Sequence, residues 1–330
     1  MSDNILLEVS QVGHNFGDNY VLYDVNLKII TGEFVALVGP SGCGKSTLLR
    51  GIVGTHPPKR GTIALHNQDS GQIESITKPT SNCGIVYQRY SLYPNLTARE
   101  NVAFGLMLKE TSLPQRLLCF KHFVHPTRQI TTNWRALRRI HLQEAEDLLV
   151  KLKLSHAIRK YPHELSGGMC QRVAIAQALI MKPRLLLLDE PFGALDEATR
   201  EELQTMLLEL YAENIKAKKQ GKTPPYTIVI VTHELNEAIL VGDRVLCLSQ
   251  YWASKQAKDP QAQGAATIVY DDTAPVYQPQ QQRSYDDFVK KREEILRVGF
   301  DPNTLQDRET FQKFWAKVQR GEGEGILSDE

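Results

Sequence analysis

Between residues 32 and 52 the chain reads GEFVALVGPSGCGKSTLLRGI. The apolar run Phe34 to Val38 enters a glycine-rich turn that ends in Lys45-Ser46-Thr47, and helix-forming residues come next. The order is strand, loop, helix. It fits G-x-x-x-x-G-K-[ST], with Gly39 and Gly44 as the glycines and Lys45 and Ser46 closing the pattern. Such a loop wraps phosphate. Glycines let the backbone of Gly39, Pro40, Ser41, Gly42, Cys43 and Gly44 curl until its N–H groups face phosphate oxygens. The helix opening at Lys45-Ser46-Thr47 adds the partial positive charge of its N-terminus. Lys45 neutralises the β- and γ-phosphates, and the Ser46 hydroxyl is a Mg²⁺ ligand.

Composition sets outer limits. The 330 residues suffice for one large domain or two ordinary ones, and 42% hydrophobic against 23% charged is a globular balance. A formal charge of +1 provides no general field for nucleic acid. The five cysteines (Cys43, Cys83, Cys119, Cys170, Cys247) are scattered without a C-x-x-C, so reduced thiols in a cytosolic compartment are expected. The N-terminal MSDNILLEVS lacks the charged-then-apolar pattern of a secretory signal, and no apolar run is long enough to span a membrane.

Along the chain, alternating patterns predict strands over 5–12 and 20–30, then short strands at 61–65 and 83–87. Thr97-Ala98-Arg99-Glu100 is a capping box for a helix carrying Val102, Leu106 and Leu108. A second helix is expected over about 142–152, with Glu144, Glu146 and Asp147 near its start, where the helix dipole favours acids. Helices are also expected over about 165–181 and 199–212, with a basic loop at 216–225. Uniformly apolar strands at 185–188 and 226–231 suit a parallel sheet buried on both faces. A further helix is expected at 235–240 and a strand at 244–248. Composition shifts near Gln250, and 250–283 reads as a linker around one β-segment, Ala266 to Tyr270, before a helical pattern at 285–297.

The leucine strand ends in Asp189-Glu190-Pro191. An aspartate at the carboxyl end of a parallel strand beside a phosphate loop holds Mg²⁺ directly or through water, and the glutamate after it can take a proton from an attacking water. A helix-capping turn is the plainer alternative.

With these residues in view, the chain resembles the nucleotide-binding subunit of ATP-binding-cassette transporters. LSGGM at 165–169 is similar to that family's signature, and the resemblance runs from about residue 5 to 250. It implies an α/β P-loop NTPase of ABC type: a mixed sheet core, an antiparallel β subdomain and an inserted helical subdomain at about 89–164. Residues 251–330 would be a C-terminal extension, linker to about 283 and then helical. The resemblance implies that Phe16 stacks on adenine, that Gln88 senses the γ-phosphate and Mg²⁺, and that His233 is the switch histidine. Core packing for Phe16, a surface amide for Gln88 and a strand-end histidine for His233 are the alternatives. Ser166, Gly167, Gly168 and Met169 would bind the nucleotide held by a second subunit, in a head-to-tail dimer with two ATP molecules between the subunits.

The further implications concern partners. Membrane-spanning permease subunits would be separate chains, an extracytoplasmic solute-binding protein would act indirectly, and this subunit would sit peripherally on the cytoplasmic face of the inner membrane. Met169, DEPFGALD and the residues after it resemble the nitrate, sulfonate, taurine and bicarbonate importers. An exporter ATPase and a soluble non-transport cassette are the alternatives. A basic-aromatic stretch at about 109–141, with Lys109, Arg116, Lys121, Arg128, Arg135, Arg138 and Arg139 against the single acid Glu110, is an addition to the family pattern. Its basic-aromatic segment 116–139 suits anionic lipid or an acidic permease loop, against the alternative of a solvated charged face.

Overall fold

The computed structural model describes residues 4–67, 71–89, 91–110, 128–193, 195–253, 264–274, 285–303 and 306–307. Its contacts divide the chain into two compact units, one of Met1–Ile85, Arg184–Gly193 and Gln204–Glu330, the other of Val86–Pro183 and Ala194–Leu203.

The first unit is built on two sheets. Strands β1 (Ile5–Phe16), β2 (Asn19–Ile30), β4 (Arg60–His66) and β5 (Ile73–Ser75) form an antiparallel sheet in the order β2-β1-β4-β5. Strands β3 (Phe34–Val38), β6 (Cys83–Val86), β7 (Leu185–Asp189), β8 (Ile228–Val231), β9 (Arg244–Ser249) and β11 (Thr267–Thr273) form a mixed sheet in the order β11-β9-β3-β8-β7-β6. Strands β9, β3, β8 and β7 run parallel, and β11 joins β9 antiparallel. A two-residue ladder pairs β10 (Trp252–Ala253) with β12 (Gln306–Asp307).

The uniform apolarity of the central strands has its reason in two cores. Val35, Leu37, Leu246 and Leu248 face one way, toward helix α1 (Lys45–Val53) and the antiparallel sheet. Ala36, Val38, Val245 and Cys247 face the other, toward α6 (Leu235–Val241) and α7 (Tyr285–Gly299). A strand's side chains alternate with period 2, so only a strand covered on both faces is apolar throughout. Each fully buried aliphatic side chain contributes roughly 1.5–3 kcal/mol to holding these layers.

The second unit is helical, with α2 (Ala98–Glu110), α3 (Arg128–Lys151), α4 (Gly167–Leu179) and the first turns of α5 (Glu197–Lys219). Here the structure corrects an expectation. Helix α3 begins at Arg128, so Glu144, Glu146 and Asp147 lie in its second half, away from the N-terminus that was expected to favour them. Two of the three have partners there: Glu146 pairs with Arg99, and Asp147 accepts from Gln143 at 2.9 Å. Arg138 similarly reaches Glu100 at 3.0 Å. Helix α5 also continues to Lys219, absorbing the start of the expected basic loop. Glu100 reaches back to the Thr97 N–H at 3.1 Å, and the Thr97 hydroxyl donates to the same carboxylate at 2.8 Å.

Strand β11 extends the expected Ala266–Tyr270 segment to Thr273. Cys43, Cys83, Cys170 and Cys247 are buried thiols. Cys119, Arg116, Lys121 and the aromatic residues Phe120 and Phe123 lie outside the described residues, as do 254–263 and 275–284.

Candidate active site

Parallel pairing brings three chain segments together at the carboxyl ends of neighbouring strands in the mixed sheet. Leu37 and Asp189 are both in register with Val231, so β3, β8 and β7 end side by side. Each of these strands runs into a candidate segment: β3 into the loop 39–44, β8 into Thr232-His233-Glu234, and β7 into Glu190.

The loop is shaped by close approach. Gly39 has φ +152°, and a Cβ there would overlap the backbone carbonyl oxygen of Leu248. Gly44, at φ 101°, caps α1 and would put a Cβ 2.8 Å from Val21 Cγ1. Any side chain at either position would push the loop away from the sheet. Lys45 is only 8% exposed. Its ammonium donates to the carbonyls of Gly39 at 2.7 Å and Pro40 at 3.0 Å, so a single cation sits inside the loop. Cys43 donates its N–H to the Pro40 carbonyl, and burial pushes its thiol pKa up against the opposing charge of Lys45. Ser41, Gly42 and Ser46 are exposed and Thr47 is half-buried, on the open side of the turn.

Asp189 ends β7. Burial raises its carboxyl pKa, the neighbouring Glu190 charge adds to this, and Arg50 and Lys45 oppose it. Arg50, one turn beyond Ser46 on α1, was not singled out from sequence, because nothing local to it marks a site. Glu190 has φ +46°, a left-handed backbone that costs a glutamate on the order of 1–3 kcal/mol. It is held there by its N–H, which donates to the Val231 carbonyl at 2.8 Å, and by its carbonyl, which accepts from Gly193. The Glu190 carboxylate lies 3.3 Å from His233 Nδ1, with the two side chains 26% and 46% exposed. The His233 Nε2 is 3.7 Å from Glu234. This arrangement can hold a water against a carboxylate beside a phosphate cradle.

Phe16, the last residue of β1, is 50% exposed and meets His14 edge-on at 4.8 Å, which removes core packing as its explanation.

Gln88, Ser166, Gly167, Gly168 and Met169 belong to the helical unit. Gln88 is exposed, just beyond β6. Ser166 is the N-cap of α4, its hydroxyl accepting the Met169 N–H at 3.3 Å. The first-turn N–H groups of Gly167 and Gly168 make this terminus suited to an anion. Gly168 is buried, and a Cβ there would overlap the side chain of Thr199. Thr199 in turn bonds Asp196, which caps α5 and whose carboxyl pKa is lowered by those hydrogen bonds. Ala194, between Gly193 and Leu195, lies outside the described residues.

Comparison with known proteins gives consistent matches. The sequence model of one family, ABC transporter, matches residues 22–193. The sulfate/thiosulfate import ATP-binding protein CysA of Photorhabdus laumondii is 39% identical over 244 residues, 74% of this chain and 58% of that protein. The spermidine/putrescine import ATP-binding protein PotA of Chromobacterium violaceum is likewise 39% identical, over 74% of this chain and 57% of its own length. The chain thus spans under three fifths of these curated relatives. Among solved structures, the dimeric post-hydrolysis state of the ATP-binding cassette MJ0796, bound to ADP and Pi, is 27% identical with a TM-score of 0.54, covering 82% of this chain and 100% of that one.

Proposed function

We propose a function that proceeds from one premise: this chain belongs to the ABC transporter family. It is an ATP hydrolase that drives solute import through separate membrane permease subunits. The observation that carries this reading is the meeting of the Lys45 loop, Asp189-Glu190 and His233 at the carboxyl ends of three neighbouring strands.

The roles rest on chemistry. Phe16 presents a half-exposed ring for adenine. The 39–44 amides, with Lys45, Ser46 and Thr47, cradle the phosphates. Ser46 and Asp189 are hard oxygen donors of the kind Mg²⁺ prefers, with Gln88 as a further ligand, and the Glu190 charge pressing on Asp189 is what a cation at that point relieves. Bound Mg²⁺ supplies charge neutralisation on the β- and γ-phosphates. Glu190 accepts the proton of the attacking water, and His233 orients Glu190 and the γ-phosphate.

Ser166, Gly167, Gly168 and Met169 serve the nucleotide of a second cassette in a head-to-tail dimer, as the dimeric neighbour with ADP and Pi supports. Gln88 and the helical subdomain, about 89–164, face the permease, and the protein works peripherally at the cytoplasmic face of the membrane. Among the described residues no helix is long and apolar enough to cross a membrane. Relatives named for import favour import over export. The nitrate, sulfonate, taurine or bicarbonate subgroup rests on Met169 and its neighbours, and equal identity to sulfate and polyamine proteins separates no solute. The basic-aromatic segment 116–139 adds a contact to anionic lipid or an acidic permease loop.

The test is ATP turnover by the full chain and its Glu190→Gln variant. The variant keeps the carbonyl shape but is no base, so turnover falls about 10²–10⁴-fold while ATP binding persists and an ATP-bound dimer accumulates on a sizing column. Wild-type turnover by the variant overturns the role of Glu190. Co-purification of a multispanning permease from native membranes supports transport; ribosomal or DNA-repair partners alone would move the reading to a soluble cassette.

A further inference from the structure

His233 protrudes just beyond the end of β8 with nearly half its side chain in solvent. Its backbone is nonetheless held on both sides. The residue before it, Thr232, is 2% exposed and donates its N–H to the Leu37 carbonyl of β3 at 3.1 Å. The residue after it, Glu234, donates its N–H to the Thr232 hydroxyl oxygen at 3.0 Å. The histidine therefore sits at the apex of a turn closed by its own neighbours. A hydroxyl closes such a turn weakly unless its rotor is fixed. Here it is fixed: the Thr232 hydroxyl donates its one proton to Glu237 Oε2 at 2.7 Å, inside a site where Glu237 is 6% exposed. With the proton committed to Glu237, a lone pair is left facing the Glu234 N–H. Glu237 lies in the first turn of α6, which is packed on the sheet through Leu235, Ala238 and Ile239.

We propose that Thr232 and Glu237 are positioning residues for the reaction: through the relay Glu237–Thr232–Glu234 they hold His233 Nδ1 within reach of Glu190. Neither touches nucleotide; both act through the backbone of residue 233. The geometry makes the imidazole's placement a property of helix α6, so a displacement of that helix moves His233 away from a Glu190 whose own backbone is pinned to Val231. The inference rests on the ATPase reading and on His233 acting in it.

The test uses the full chain with Thr232→Val, Thr232→Ser and His233→Ala. Valine keeps the β-branched shape that the strand end buries and removes only the hydroxyl. Its kcat falls about tenfold or more, because a small misplacement of a positioned group costs rates of that order, while KM for ATP stays within about twofold. Serine, which keeps the hydroxyl, restores kcat to within about twofold of wild type. A general loss of structure would move KM and the unfolding midpoint too, and serine would not single out the hydroxyl. The His233 ring signals, assigned by their absence in His233→Ala, provide a readout that needs no turnover: one sharp set in wild type and in Thr232→Ser, broadened or shifted in Thr232→Val. Wild-type kcat with unaltered His233 signals in Thr232→Val overturns the relay. Wild-type turnover by His233→Ala overturns instead the assignment of His233, which separates the two failures.

Discussion

At the residue scale, the site is a matter of where single charges are placed. The ammonium of Lys45 bonds the Gly39 and Pro40 carbonyls inside the loop proposed to cradle phosphate. Hydrogen bonds to charged groups are worth roughly 1.5–3 kcal/mol each. Lys45→Ala is therefore expected to weaken ATP binding by about 10- to 100-fold, measured by titration calorimetry; unchanged affinity would remove Lys45 from phosphate binding. The left-handed φ of Glu190 is the second residue-scale feature. Its identity and place after an apolar strand were legible in the sequence. The strain was not, because it arises from hydrogen bonds to Val231 and Gly193, and the first of these partners is far away in the chain.

At the element scale, the N-terminus of α4 depends on what packs against it. Gly168 is a glycine because the Thr199 side chain fills the place of its Cβ. Gly168→Ala is expected to destabilise the protein by about 1–3 kcal/mol, the usual cost of overpacking. Adding Thr199→Ser should restore most of the loss, since serine lacks the Cγ2 that blocks the new methyl yet keeps the hydroxyl that bonds Asp196 at 2.7 Å. Thermal unfolding of the single and double variants checks this; equal instability of both would mean that the crowding lies elsewhere. The signature pattern was visible in the sequence, but its dependence on Thr199 was not. Helix α3 shows the opposite error. Its acids suggested a helix start, whereas its true beginning lies upstream, and Glu146 and Asp147 are matched to Arg99 and Gln143.

At the scale of the whole first unit, a buried charge network ties the C-terminal residues to the sheet. Arg244 is fully buried and grips Asp271 of β11 through Nε at 2.6 Å and Nη2 at 2.7 Å. It also donates to the Lys28 carbonyl at 2.8 Å and faces Glu33 at 3.4 Å. Beside it, Asp243 accepts the Phe34 N–H at 3.2 Å, with Tyr211, Glu33 and Lys218 around it. Burial, and then the charge of Glu33, push the Asp243 carboxyl up to about 8 from 3.8. The folded state therefore holds this proton more tightly than the unfolded chain. Its stabilising contribution is complete below the unfolded value, declines as pH rises toward about 8, and is flat beyond. Asp243→Asn, which keeps the acceptor for Phe34 and cannot ionise, is expected to lose that decline. Urea unfolding of wild type and variant across that window checks it: the variant should gain relative stability as pH rises, and parallel curves would show that Asp243 does not titrate there.

What the sequence by itself determined is local. The order strand, glycine turn, Lys-Ser-Thr and helix needs no distant partner to be read, because phosphate chemistry dictates residue types at short spacing. The double-sided apolarity of β3, β7 and β8 likewise announces a covered parallel sheet. Tertiary structure alone decided the rest: the register that aligns Leu37, Val231 and Asp189, the turn that holds His233 against Glu190, the Thr199 beside Gly168, and the Arg244 that binds β11. Each joins residues distant in sequence or depends on a side-chain direction that only packing sets. Neither leaves a periodic or compositional mark on the chain.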